Sequence, residues 1–172
     1  IKDSYLRFKR FNGYDVYVAT TTHLNYQFSN IFKGIKENIV LNDNCFKILD
    51  NLKKIRSYNF DKVVFCEVGM SLTCNLLSFF KLGRVTFNTW GHSDTSGGKY
   101  IDYYVSSKYY ELPYPEAQEH YSEKLILQNG LCTVYVNPTK GYDLKIPRTF
   151  FGLSKHDKII LCPQSLFKIY PD

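Results

Sequence analysis

The 172-residue sequence has a single Trp, a single Met and no apolar stretch approaching the ~20 residues that a membrane-crossing helix needs. No stretch of it reads as a secretory signal. Its five cysteines, Cys45, Cys66, Cys74, Cys132 and Cys162, form an odd set without a CxxC pair and without metal-type spacing to the four histidines. A disulfide scaffold and a zinc module are therefore excluded, and a reducing, cytoplasmic compartment is expected. Cys66, Cys132 and Cys162 fall inside apolar strand-like runs, where a free cysteine behaves as a small hydrophobe. The chain also lacks a Walker lysine loop, a GxGxxG fingerprint and the Asp-x-Asp pair that would hold a metal-bound nucleotide sugar. No block of like charges marks a nucleic-acid-binding tail.

What is present describes a globular chain. Hydrophobic residues make up 44%, charged residues 22% and aromatics 17%, a composition outside the disordered, collagen-like and coiled-coil ranges. The aromatics are 15 Tyr and 13 Phe, part of a Lys, Asn, Ile, Phe and Tyr bias of the kind AT-rich coding produces, which carries no functional information. The formal net charge of +6 and pI near 9.0 suit an anionic partner: nucleic acid, a membrane surface or a phosphate-bearing small molecule. Because the basic residues are scattered, a diffusely solvated surface is the expectation, with neither nucleic acid nor membrane as partner.

Along the chain, strand and helix patterns alternate. Tyr14 to Thr21 (YDVYVATT) reads as a strand. Asp43 opens an amphipathic helix with apolar Cys45, Ile48, Leu49, Leu52 and Ile55, and Lys53, Lys54 and Arg56 suit the negative pole of its dipole. Val63 to Cys66 (VVFC) is a continuous apolar run, as for a parallel strand covered on both faces. Ser71 can cap a helix through Phe80 that stops at Gly83. Arg84 to Trp90 and Asp102 to Ser106 are further strands, Pro115 can open a short helix ending near Tyr121, and Lys124 to Leu127 with Leu131 to Val136 reads locally as a hairpin. Successive strand and helix units imply an α/β, Rossmann-like domain with a largely parallel sheet and right-handed crossovers. The stretch after Asn137 (NPTKGYDLKIPR) has no periodicity and reads as a connector, after which Lys158 to Cys162 (KIILC) starts a new strand. The expected division is a partial lobe over 1–136, a connector over 137–150 and the start of a second lobe over 151–172. The absence of an initiator Met before Ile1 and the stop after Pro171-Asp172 suggest that both ends are cut.

Two loops could carry chemistry. Trp90 to Gly98 (WGHSDTSGG) follows a strand, where an open α/β sheet binds ligands. Its glycines allow close backbone approach, and the Thr95 and Ser96 hydroxyls with neighbouring amides can form an anion-binding nest. His92 and Asp94, two residues apart, can be a base and its partner, or an idle surface pair. In the second loop, Pro163 to Lys168 (PQSLFK), a lysine early in a helix after a strand can meet a phosphate held at the helix N-terminus, although a solvated surface lysine is locally the plainer reading. Glu67 lies on the same sheet edge, as an acid, a base or a helix cap.

Taken in series, Val63 to Gly97 (VVFCEVGMSLTCNLLSFFKLGRVTFNTWGHSDTSG), Ile101 to Ser107 (IDYYVSS) and Pro115 to Pro138 (PEAQEHYSEKLILQNGLCTVYVNP) resemble the catalytic region of the O-linked N-acetylglucosamine transferases, which group with SPINDLY-type proteins and bacterial cytoplasmic N-glycosyltransferases as the family 41 glycosyltransferases. Phe151 to Asp172 resembles the first strand and helix start of that family's second Rossmann lobe. The resemblance implies the N-terminal lobe of a GT-B type enzyme: an inverting, metal-independent transfer from a UDP-sugar, such as UDP-GlcNAc or a UDP-hexose, to a Ser, Thr or Asn side chain of a protein acceptor. It further implies that Lys168 contacts the donor diphosphate as the catalytic cation, that Gly91, His92, Thr95, Ser96, Gly97 and Ser165 lie beside the donor, and that no cofactor is required. Ser93 stands where the family commonly has Pro, and Ser165 where animal members have a glutamine. The resemblance also places a His-bearing loop before Lys2-Asp3 and the uridine-binding half beyond Asp172, so this chain alone is expected to be inactive. The alternative is a non-catalytic remnant acting as a protein-interaction domain.

Overall fold

The computed structural model describes residues 13–21, 34–133 and 146–164, and the chain divides into two compact units, Ile1–Val136 and Asn137–Asp172. In the first unit β1 (Tyr17–Thr20) and β2 (Glu37–Val40) form a parallel pair with Tyr17 opposite Glu37. A four-stranded parallel sheet follows, its order β3 (Phe60–Phe65), β4 (Gly83–Thr89), β5 (Tyr103–Ser107) and β6 (Lys124–Gln128) matching chain order. The helices are α1 (Ile48–Arg56), α2 (Leu72–Ser78) and α3 (Glu116–Glu119). This is the α/β, Rossmann-like architecture that the alternating pattern implies.

Local chemistry sets each element. Leu52 and Ile55 form the buried stripe of α1 while Leu49 stays outside, and Asn51 is buried because its amide exchanges two 2.8 Å hydrogen bonds with the Asn42 backbone. Asn44 caps a short 3-10 turn (Cys45–Lys47), so the α-helix begins at Ile48, later than Asp43 suggests. The Ser71 hydroxyl accepts from the Cys74 amide at 3.3 Å and starts α2 as expected. That helix ends at a cap on Phe79. Gly83 does not terminate it; instead it opens β4, where a Cβ would lie 2.9 Å from Val63 Cγ2.

Register decides which face is covered. Phe65, Asn88, Tyr104 and Leu125 form one row across the four strands. Leu52, Ile55 and Leu77 of α1 and α2 join the cluster around Phe65, while Ala117 and Tyr121 pack with Tyr104 and Leu125. All three helices therefore cover the same face; for α2 and α3, which connect β3 to β4 and β5 to β6, crossovers of one hand require this when each strand is added on the same side of the last. The opposite face carries Val64, Phe87, Tyr103, Val105 and Ile126, of which Val64 is 55% exposed. The expectation that VVFC is covered on both faces thus fails, because β3 is an edge strand of the four-stranded sheet with helices on one side only among the described residues. Cys66 is exposed in consequence.

Two further strand expectations are corrected. β6 pairs in parallel with β5, and Leu131 to Thr133 form no strand, so no hairpin returns through them; Val134 to Val136 lie outside the described residues. In the second unit, Arg148–Phe151 form a 3-10 turn ended by Gly152 in the left-handed conformation, and Arg148 Nη2 donates to the Asp157 carbonyl at 2.6 Å. Lys158 to Cys162 form no strand, and Ile160 is fully exposed. A strand exists only as part of a ladder, and no partner strand is present among the described residues of that unit. No helix among the described residues is long and apolar enough to cross a membrane.

Candidate functional site

The β4 to β5 connection, residues 90–102, contains no helix. It leaves the carboxyl end of β4 and turns sharply, with the Gly91 amide donating to the Thr89 carbonyl at 2.7 Å. A Cβ on Gly91 would stand 1.9 Å from the Cys66 carbonyl oxygen, so only glycine lets this loop cross the end of β3. The next residue, His92, lies over Gly69, which has φ +94° and would bring a Cβ within 2.8 Å of the imidazole. His92 Nδ1 is 3.5 Å from Asp94 Oδ2, and both side chains are substantially exposed. The loop then folds over the helix-covered face of the sheet. Buried Tyr104 donates its hydroxyl proton to the His92 carbonyl, and Tyr121 Oη stands 3.3 Å from the Ser93 carbonyl and 2.7 Å from Glu111 Oε1. Burial pushes the Tyr104 phenol up to about 12, and burial with the Glu111 hydrogen bond raises Tyr121 further, so both remain protonated donors at neutral pH.

Beyond Asp94 the loop meets Glu123, the residue before β6. Register sets Lys124 level with Tyr103 and Tyr103 level with Phe87, so the loop has folded back below the end of β4. Glu123 is only 2% exposed. Its Oε2 accepts from Thr95 Oγ1 at 2.6 Å, and its Oε1 accepts from the Ser96 amide at 2.8 Å and from the Ser96 hydroxyl. Burial acts to raise its pKa, but the Ser96 and Thr95 hydroxyls and two backbone amides outweigh it and hold the carboxyl below the usual glutamate range. Thr95 Oγ1 in turn accepts from the amides of Ser122 (3.1 Å) and Gly97 (3.3 Å), and Ser96 Oγ accepts from the Gly98 amide at 3.1 Å. Gln118 of α3 closes the arrangement by donating to the Glu123 carbonyl at 2.8 Å and accepting from the Leu125 amide at 2.9 Å.

Between this loop and α2 runs a cleft of about 320 Å³. One wall is Val68 and Gly69 of the β3 to α2 turn with Asn75, Ser78 and Phe79 of the helix; the other is His92, Asp94, Thr95 and Ser96. Asn75 Oδ1 fixes the turn by accepting from the Gly69 amide at 2.6 Å. The cleft offers an imidazole, a carboxylate and polar backbone, a set that can bind hydroxyl groups and exchange a proton with them.

The structure brings together five of the sequence candidates, Gly91, His92, Thr95, Ser96 and Gly97, and gives three of them structural partners. Gly91 is required by the Cys66 carbonyl, and the Thr95 and Ser96 hydroxyls complete an anion nest whose anion is the chain's own Glu123 carboxylate. Lys168 and Ser165 lie outside the described residues. Glu67 is exposed, and its backbone carbonyl, accepting from Met70 and Ser71, forms the turn that Ser71 caps. Glu123 itself escapes a sequence reading, since a single Glu ahead of an apolar run looks like an ordinary solvated strand end. Among the described residues no three of His, Cys, Asp and Glu come together as a metal site would need.

A scan against protein-family models finds no match, and a search of curated proteins finds none. Among solved structures, the chain is similar in fold to a lysine-to-methionine mutant of the O-GlcNAc transferase of Thermobaculum terrenum, with a TM-score of 0.56 at 15% identity. The match covers 69% of this chain and 22% of the other, so this chain spans under a quarter of the length of that neighbour. At this identity the likeness is one of fold, an α/β architecture similar to that of a glycosyltransferase.

Proposed function

We propose that this chain is part of a glycosyltransferase, its N-terminal Rossmann-like lobe with the start of the second, and that the whole protein moves a sugar, N-acetylglucosamine or a hexose, from a UDP-sugar to a Ser, Thr or Asn side chain of a protein. The observation that carries the reading is the cleft between α2 and the His92 to Ser96 wall, in a domain similar in fold to part of an O-GlcNAc transferase. Its volume, about 320 Å³, is at the small end of ligand pockets. In this reading Gly91 and Gly97 let the loop approach the sugar, and His92 and Asp94 supply polar contacts to its hydroxyls. Thr95 and Ser96 shape the wall.

Lys168 takes the diphosphate in this reading, and Ser165 contributes a donor contact. Charge grows on the departing UDP as the glycosidic bond breaks, and a prepositioned ammonium is worth most at that moment. No resident metal is needed for that step. In the native protein, Lys168→Ala is expected to lower kcat for sugar transfer from UDP-GlcNAc or UDP-glucose by on the order of a hundredfold. Unchanged turnover would remove Lys168 from the reaction and with it the phosphate half of the reading.

A further inference from the structure

We infer that Glu123 is the positioning residue of the cleft's loop wall: its buried carboxylate holds the Thr95–Ser96–Gly97 turn in the conformation that faces α2. What the wall positions rests on the sugar-donor reading; the positioning itself does not. A carboxylate that is 2% exposed must be compensated, and every donor that reaches it here is neutral. Directed hydrogen bonds from Thr95 and Ser96 therefore do the work that a cation does in an ion pair, and the turn cannot move without stranding the charge. The dependence is mutual.

Thr95 makes the requirement for a carboxylate specific. Its hydroxyl has one proton and two acceptor positions, and the Ser122 and Gly97 amides take both acceptors. Its proton has two oxygens in reach, Glu123 Oε2 at 2.6 Å and Ser122 Oγ at 3.0 Å; the Ser122 hydroxyl itself donates to the same Oε2 at 3.2 Å, so both hydroxyls converge on the carboxylate. An amide nitrogen in that place would bring a donor against a donor. A glutamine keeps the size but turns one of the two oxygens into a donor, so whichever way its amide faces, either Thr95 or Ser96 loses its acceptor, which makes Glu123→Gln a nearly isosteric test. The loop amides tied to this network are Ser96, directly on the carboxylate, with Gly97 and Gly98, held by the Thr95 and Ser96 hydroxyls.

Residue-resolved amide hydrogen exchange on the whole 172-residue chain reads the effect. In Glu123→Gln the Ser96, Gly97 and Gly98 amides are expected to exchange at least about tenfold faster, the loss of one charge-assisted hydrogen bond. The Gly69 amide, held by Asn75, and the Thr86 amide, held by Asp102, should keep their rates. Thr95→Val, which removes the same proton from the other side, should reproduce the acceleration at Gly97. Unchanged loop rates in both variants, or equal acceleration at Gly69 and Thr86, would overturn the positioning role. In the native protein the donor KM should rise in Glu123→Gln with kcat changed less; a loosened loop with an unaltered donor KM would uphold the positioning and overturn the reading that this wall meets the donor. A wild-type protein without sugar transfer would sink the donor reading, leaving the exchange rates to decide Glu123.

Discussion

Gly91 and His92 are placed by backbone packing against the end of β3, whereas Thr95, Ser96 and Gly97, a few residues along the same loop, are placed by one buried carboxylate. The first half has no room to be anything else: Gly91 passes so close to the Cys66 carbonyl that its lack of a side chain is a steric condition. The second half has room. Nothing lies within 4 Å of a Cβ added at Gly97, and its position depends on hydrogen bonds that a change elsewhere could remove. One loop thus joins a sterically fixed crossing at Gly91 to a turn held by hydrogen bonds.

Substitutions should separate the halves in order of size. Gly91→Ala is expected to cost about 3 kcal/mol or more, because backbone has to move before the methyl fits; a calorimetric melt showing less than about 1 kcal/mol would mean that the crossing can relax. Glu123→Gln should cost about 2 kcal/mol by urea unfolding, as for a hydrogen bond to a charged group. Its pH dependence has a definite sign. Since the folded carboxyl lies below the ordinary glutamate value, the contribution of Glu123 is present above that value and lost as pH falls through the lower, folded one. Wild type and Glu123→Gln should converge in stability in that acid window and diverge above it. Gly97→Ala meets only the left-handed conformation, φ +61°, and should cost about 1 kcal/mol. Thr86→Val, smallest, should be neutral or stabilising by up to about 1 kcal/mol, because the buried Thr86 hydroxyl has no partner among the described residues. A loss there would reveal a bond to a buried water.

VVFC and KIILC teach the limit of pattern reading. Both are short apolar runs that read as strands, and only the first is one. Val63 to Phe65 pair with Thr86 to Asn88, while Lys158 to Cys162 meet no partner strand among the described residues and leave Ile160 in water. The same dependence on a neighbour explains the missing hairpin: the QNG turn signal is local, but β6 satisfies its backbone on β5. Caps were legible because they are local chemistry, as Ser71 and the basic last turn of α1 show. The loop glycines were legible as residues that permit close approach, although not which backbone they approach.

The alternation of strand and helix, the parallel sheet and the polar Gly-rich loop after β4 are determined by the sequence itself, because period, capping and turn chemistry act over a few residues. The single covered face, the contact of Gly91 with Cys66 and the capture of Thr95 and Ser96 by Glu123, 28 and 27 residues away, were decided by tertiary structure alone. A carboxylate chooses its donors by burial and distance in space, and neither quantity is written in the spacing along the chain.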